Sequence, residues 1–221
     1  PSLRQALATP RTWWLDDNTA IIYDTRKPPA EQHLERLDPE TGKRTPLLDQ
    51  KKAAESFKSL FPEGKSPRFS PVPNAFSGSG AYGVYLIDGD ISLLDIRTAT
   101  VARVTETKEE EKAVNFSADG LKLAFVRGNN LYTYDITQKK ESRLTEDGSE
   151  TILNGTLSWV YWEEIFGRRD IGFWWSPDSR SIAYLRTDES SVSIQHFISI
   201  APWTPTVSTQ RYPKVGEKNP D

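Results

Sequence analysis

Apolar and polar positions alternate along most of this chain with a period of two rather than the 3.6 of a helix, which predicts short strands joined by tight turns. LKLAFV from Leu121, the turn RGNN and LYTYDI from Leu131 make one such pair. YGVYLI from Tyr82, then DGD, then ISLLDI from Ile91 make another. Both turns carry the Gly, Asn or Asp that a tight hairpin connection favours. One stretch breaks the alternation: DQKKAAESFKSLF, residues 49–61, has apolar residues near helical spacing and predicts a short surface helix.

The pattern also repeats over longer distances. Three twelve-residue segments align without gaps: LDPETGKRTPLL from Leu37, LDIRTATVARVT from Leu94 and YDITQKKESRLT from Tyr134. Ahead of each unit an aromatic residue precedes a turn: WLDDNTAIIY from Trp14, RFSPVPNAFSG from Arg68, NFSADGLKLAFV from Asn115 and WWSPDSRSIAYL from Trp174. Asp17, Asp119 and Asp178 fall at matching places, and Trp14, Phe69, Phe116 and Trp175 are spaced 55, 47 and 59 residues apart. A small antiparallel sheet cannot bury both faces alone, so a series of them stacks radially. The expectation is an all-β fold, a β-propeller with about four blades, near residues 12–48, 68–105, 115–145 and 174–221, and helical insertions near 49–61 and 158–167. The closing heptad VGEKNPD carries no strand pattern that would pair back to the start, so the expected ring is incomplete.

Composition narrows the function classes. Of 221 residues, 31 are acidic and 28 basic, with no concentration of bases, which excludes a phosphate-backbone partner and leaves nucleic acid out of the reading. Cysteine is absent, so disulfides, thiolate metal sites and a cysteine nucleophile are excluded. Two histidines in unrelated contexts, His33 and His196, argue against a zinc centre and against a self-contained Ser/His/Asp triad. No metal and no cofactor is expected. No apolar run reaches membrane-spanning length and no signal peptide pattern opens the chain, which begins at Pro1 as a processed or excised segment would.

Several motifs carry less than they suggest. GSGAYG, residues 78–83, matches the dinucleotide fingerprint, but a hairpin follows it where the fingerprint needs a helix to receive the pyrophosphate. Asn115 and Asn154 head formal glycosylation acceptors; Asn115 sits inside the aromatic-turn motif, whereas Asn154 is the one that could be exposed. The run EEEK, residues 109–112, reads most simply as a solvated loop.

WVYWEEIFGRRD, residues 159–170, is the exception. Glu163 and Glu164 are adjacent among large aromatics, with Ser158 available as an N-cap and Gly167 as a stop, which predicts two turns of helix over 159–166. Consecutive side chains on a strand point to opposite faces, but on a helix they diverge by about 100°. Both carboxylates could then converge on one cation, and a primary ammonium, with three donors, suits two charged acceptors. The alternative is that both are solvated helix residues paired with Arg168 and Arg169; on the residues alone both readings stand. Adjacent carboxylates suit glycoside hydrolysis poorly, because its two acids flank the scissile bond about 5 Å or more apart.

WVYWEEIF, FWWSPDSRSIAYLR and RYPKVGEKNP, in that order, resemble the N-terminal propeller region of the dipeptidyl peptidase IV family, in the prolyl oligopeptidase clan of serine peptidases. The resemblance covers most of the chain and is strongest over residues 115–220. It implies a propeller usually of eight blades joined in the same polypeptide to a C-terminal α/β-hydrolase domain, which this chain lacks. It also implies an enzyme that releases Xaa-Pro and Xaa-Ala dipeptides from peptides with a free N-terminus, with this region gating substrate entry. The double glutamate of the family projects from the propeller and holds the substrate ammonium, a role that falls on Glu163 and Glu164, with Phe166 lining the same pocket. The nucleophile motif GxSxG is absent, so no catalytic residue is expected here and this chain alone is expected to be inactive. Relatives carry an arginine that touches the substrate backbone, but residues 69–96 hold no Arg or Lys, and Trp162 stands where some relatives have a third acid. Family members are often dimers and often exported or membrane-anchored, so a homodimer and an exported location are implied by resemblance only. The competing expectation is a noncatalytic propeller used for protein interaction; a complete small lectin or hydrolase propeller fits less well, since no acid/base set recurs on the repeats.

Overall fold

The computed structural model describes residues 9–201 and 203–221. The chain divides into two compact units, one made of the residues up to Glu110 with Asn115–Lys122, the other of Glu111–Val114 with Leu123–Asp221.

Four-stranded antiparallel sheets recur in chain order. The first comprises β1 (Arg11–Trp14), β2 (Ala20–Tyr23), β3 (Leu34–Leu37) and β4 (Arg44–Pro46), each strand beside the next. The second repeats this with β5 (Ala75–Phe76), β6 (Tyr82–Ile87), β7 (Asp90–Asp95) and β8 (Thr100–Arg103), and the third with β9 (Glu111–Phe116), β10 (Lys122–Arg127), β11 (Asn130–Asp135) and β12 (Lys140–Arg143). The two predicted hairpins are present, joined at Asp88–Gly89 and Gly128–Asn129 with positive φ at both positions, as a type I′ turn requires.

The predicted surface helix is α1 (Gln50–Lys58). Asp49 caps it by accepting the Lys52 N–H at 3.0 Å, and its buried face presents Ala53 and Phe57. Phe57 meets Phe61, Phe69 and Tyr85 with ring centroids 5.2, 5.3 and 5.9 Å apart, and Val101 N–H donates to Ser56 Oγ at 2.9 Å, which seats the helix against β8. Phe69 is therefore a packing residue of this cluster rather than the aromatic of the second repeat.

That place belongs to Phe76. Leu15, Ser77, Ser117 and Ser176 follow Trp14, Phe76, Phe116 and Trp175, and their N–H groups donate across the turn to Thr19, Tyr82, Lys122 and Ser181. In the last three the serine Oγ also accepts the returning N–H, at 3.0, 2.9 and 3.0 Å. Asp17, Asp119 and Asp178 each close their own turn by accepting a nearby N–H at 3.0 to 3.1 Å. The matching aspartates are thus turn residues, a structural use of the side chain.

After β12 the pairing changes. β13 (Ile152–Asn154) pairs with β16 (Arg186–Asp188), β14 (Phe173–Trp175) with β15 (Ile182–Tyr184), and β17 (Ile194–Ser199) with β18 (Thr206–Arg211), each as a two-stranded antiparallel set. The stretch expected as a fourth blade, residues 174–221, holds strands of all three pairs, with β16 paired to β13 from ahead of that stretch, and among the described residues no sheet closes on itself.

Candidate functional site

Between β13 and β14 the chain leaves the sheets over residues 155–172 and returns. The base of this excursion is pinched by backbone bonds: Gly172 N–H donates to Gly155 O at 2.9 Å, Gly155 N–H to Leu185 O at 2.9 Å and Leu185 N–H to Gly172 O at 2.8 Å. Gly155 has φ +79°, and a Cβ there would lie 3.2 to 3.3 Å from Leu131, Val126 and Phe173, so the position needs glycine for both conformation and space.

The excursion carries a helical turn, as predicted, but wider than an α-helix. Tyr161–Ile165 is a π-helix: Phe166 N–H donates to Tyr161 O at 2.9 Å, and Arg168 N–H reaches back to Trp162 O at 2.8 Å. Gly167 and Arg168, at φ +59° and +64°, end it. Widening the turn brings successive side chains closer in direction than the 100° of an α-helix, so Glu163 and Glu164 diverge less than predicted. Ser158 is not the cap expected of it; its Oγ is buried with no hydrogen-bond partner. The nearby Leu157 N–H is instead satisfied by Asp170 Oδ1 at 3.1 Å.

Glu163 is half-buried, with 27% of its side chain exposed, and accepts a 2.8 Å ion pair from Arg168, whose side chain is 71% exposed. Glu164 is exposed and has no ion-pair or hydrogen-bond partner among the described residues. The alternative of surface pairing is thus realised for one glutamate and one arginine only. Phe166 is half-buried and packs on Trp174, ring centroids 6.3 Å apart, while Trp159 leans on Tyr212 at 4.5 Å.

Beside the turn lies a cavity of about 550 Å³ lined by Trp159, Trp162, Glu163, Asp170, Glu189 and Arg211 among others. Of the three residues picked from the sequence, Glu163 lines it and Glu164 and Phe166 do not. Burial pushes the Asp170 carboxyl above the usual range, against the Leu157 N–H and the charge of Lys112. Burial does the same to Glu189, against Arg211 and Lys112. Arg211 spends its Nη1 on the Val192 carbonyl at 3.0 Å and the Glu189 carbonyl at 3.4 Å. Asp170, Glu189 and Arg211 were not singled out by the sequence reading. Asp170 could have been noticed from its place at the end of the same motif, but Glu189 and Arg211 reach the cavity only through folding.

The remaining candidates resolve into structure. GSGAYG forms the turn into β6, where Gly78 O accepts Asp16 N–H at 2.9 Å. Asn154 is fully buried and donates to Asn129 O and Asp147 Oδ1 at 3.2 and 2.9 Å, which corrects the expectation that it could be exposed. Glu111, in the acidic run read as solvated, is buried and paired with Arg127 at 3.2 Å. His33 lies just ahead of β3, 3.6 Å from Glu35, and His196 is on β17. Among the described residues no group of three or more His, Asp and Glu is arranged to hold a metal ion.

The comparisons with known proteins fit this architecture. The family model described as "Dipeptidyl peptidase IV (DPP IV) N-terminal region" matches residues 85–221, which include the π-turn. "Probable dipeptidyl peptidase 4" of Arthroderma benhamiae is 38% identical over 135 residues, covering 58% of this chain and 17% of the relative. "Probable dipeptidyl-aminopeptidase B" of Talaromyces marneffei is 35% identical over 139 residues, covering 58% and 15%. Among solved structures, dipeptidyl peptidase 4 of Porphyromonas gingivalis superposes with a TM-score of 0.75 at 25% identity, covering 97% of this chain and 30% of that one. A putative dipeptidyl aminopeptidase IV from Bacteroides ovatus superposes at 0.58 with 21% identity, covering 94% and 26%, a likeness of fold. The expected propeller fold is the fold of these neighbours, and the chain spans less than a third of the length of the relatives it matches.

Proposed function

The chain belongs to the family of the dipeptidyl peptidase IV N-terminal region, and from that premise we propose that it is the substrate-gating and amine-recognition part of a serine exopeptidase that releases Xaa-Pro and Xaa-Ala dipeptides. Its covalent partner in this reading is a C-terminal hydrolase domain of the same polypeptide, which supplies the nucleophile, and its substrates are peptides with a free N-terminus.

One observation carries the reading. Glu163 and Glu164 stand side by side on a widened turn, and the cation that holds Glu163 is a largely exposed arginine. An exposed pair of this kind is worth about 0 to 1 kcal/mol, so an incoming ammonium can replace Arg168 at small cost. Among the described residues Glu164 pairs with no cation. Two carboxylates then supply charge-assisted acceptors to one ammonium, and Trp159 and Trp162, which line the cavity with Glu163, lower the dielectric on that side and strengthen the bond there.

The mechanism by which such an anchor sets the product is geometric. An exopeptidase must count residues from the amino terminus, and an anionic anchor fixed at one distance from a nucleophile acts as a ruler. An acetylated terminus brings no cation, so docking it would bury carboxylates unpaired, and the enzyme would reject it. The test is hydrolysis of a chromogenic Xaa-Pro substrate by the full-length protein, with the amino group free and then acetylated. Cleavage of the free form with loss on acetylation is expected; equal cleavage of the two forms would remove the ruler and favour a propeller that only binds other proteins.

A further inference from the structure

The double-glutamate turn has no local cap, yet its direction is fixed. Ser158 Oγ, the group the sequence offers for capping, makes no hydrogen bond. The N–H of Leu157, a residue only 7% exposed, would be orphaned just ahead of the turn if nothing accepted it. Asp170, from the far side of the turn, accepts it at 3.1 Å. Two residues nearer the sheets on each side, Gly172 N–H donates to Gly155 O at 2.9 Å. The two bonds form successive rungs across the neck of the excursion, and every residue from Ser158 to Arg169 lies beyond the second rung.

Building the outer rung has a cost. Asp170 is partly buried on a cavity that also presents Glu163 and Glu189, with Arg211 as the cation lining it and Lys112 acting on Asp170 from β9. Three carboxylates share that space, and two of them resist ionisation because of burial. Holding a carboxylate in that space is unfavourable by itself, and the bond that Asp170 makes there is the one from the Leu157 N–H.

We infer that Asp170 is the positioning residue of the double-glutamate turn, its carboxylate oxygen tying the segment entering the turn to the segment leaving it and so fixing the direction in which Glu163 and Glu164 project. The inference rests on the amine-anchor reading of those two glutamates. Asp170 touches no substrate in this account; it acts through the neck.

The experiment uses the full-length protein and one ratio, kcat/KM for a free-amine Xaa-Pro substrate over that for its N-acetylated form. Asp170→Ala leaves the Leu157 N–H without an acceptor, and the ratio is expected to fall about tenfold, mainly through a rise in KM for the free-amine substrate. Asp170→Asn keeps an oxygen acceptor and is expected to restore the ratio to within about threefold of wild type. Where the alanine variant does not fold, Asp170→Leu, which fills the space without accepting, is read in its place. The inference is overturned if the ratio is unchanged on loss of the acceptor, if both substrates suffer equally, or if asparagine is as damaging as alanine. The parallel variants Glu163→Gln and Glu164→Gln separate this from the reading beneath it. If they collapse the ratio while Asp170→Ala does not, only the positioning role fails; if they too leave it unchanged, the amine anchor fails.

Discussion

Two glutamate–arginine pairs in this chain use the same chemistry to opposite ends. In the sheet β9–β12, Glu111 is fully buried and Arg127 only 12% exposed in its side chain. Arg127 also binds Glu141 at 2.5 Å and lies over the Tyr132 ring, 4.2 Å from its centroid. Its guanidinium is held well above its ordinary pKa, first by Glu141 and then by Glu111, against the effect of burial. On the π-turn, Glu163 is paired to an arginine that stands mostly in water. Burial makes the first pair a fixed part of the sheet, since neither charge can lose its partner cheaply. Exposure makes the second exchangeable, and exchange is what a site for a cationic substrate needs.

Breaking the buried pair should have the largest effect. Arg127→Ala strands Glu111, and a loss of about 3–5 kcal/mol in stability is expected from guanidinium melts of the full-length protein. Gly155→Ala, at the neck of the excursion, forces a left-handed φ on a residue with a side chain and presses Cβ on Leu131 and Val126; about 1–3 kcal/mol is expected in the same assay. A third pair sharpens the contrast through pH. Arg26 grips the Asp24 carboxylate with two bonds of 2.8 and 2.7 Å and holds its pKa at about 2, below the ordinary 3.8. Because the folded value is depressed, this contribution is present above pH 3.8 and lost as pH falls towards 2. With Arg26 partly exposed, it amounts to on the order of 1 kcal/mol after screening. Asp24→Asn should lower the melting temperature at neutral pH and flatten the acid limb of the stability curve between those two values. The smallest effect belongs to the exposed pair: Arg168→Ala should change stability by less than about 0.5 kcal/mol, without lowering kcat/KM for a free-amine substrate.

The same contrast marks what the sequence could reveal. Hairpins such as β6–β7 and β10–β11 were legible because their turn chemistry is local, and the helix at 50–58 because its apolar spacing and Asp49 cap are local too. In the second repeat RFS before Pro71 imitates the aromatic-serine turn, which FSGSG from Phe76 in fact makes. Glu111 and Asn154 looked like surface residues since the groups that satisfy them, Arg127 and Asp147 among them, are distant in sequence or hidden in another turn. The double glutamate was visible as an oddity of composition and then as a family motif. Its widened turn was not, because Ser158 reads as a local cap and its Oγ makes no bond, while the bonds at the neck join residues 13 and 17 positions apart.

The most direct test of the central claim is the free-amine against acetylated comparison carried out on Glu163→Gln and Glu164→Gln, each of which removes a charge while keeping the shape of the side chain. Each substitution is expected to cost on the order of 2 kcal/mol in kcat/KM for the free-amine substrate, to leave the acetylated one as poorly cut as before, and to leave the melting temperature in place. Unchanged cleavage of the free-amine substrate by both variants, or an equal loss on both substrates, would contradict the account.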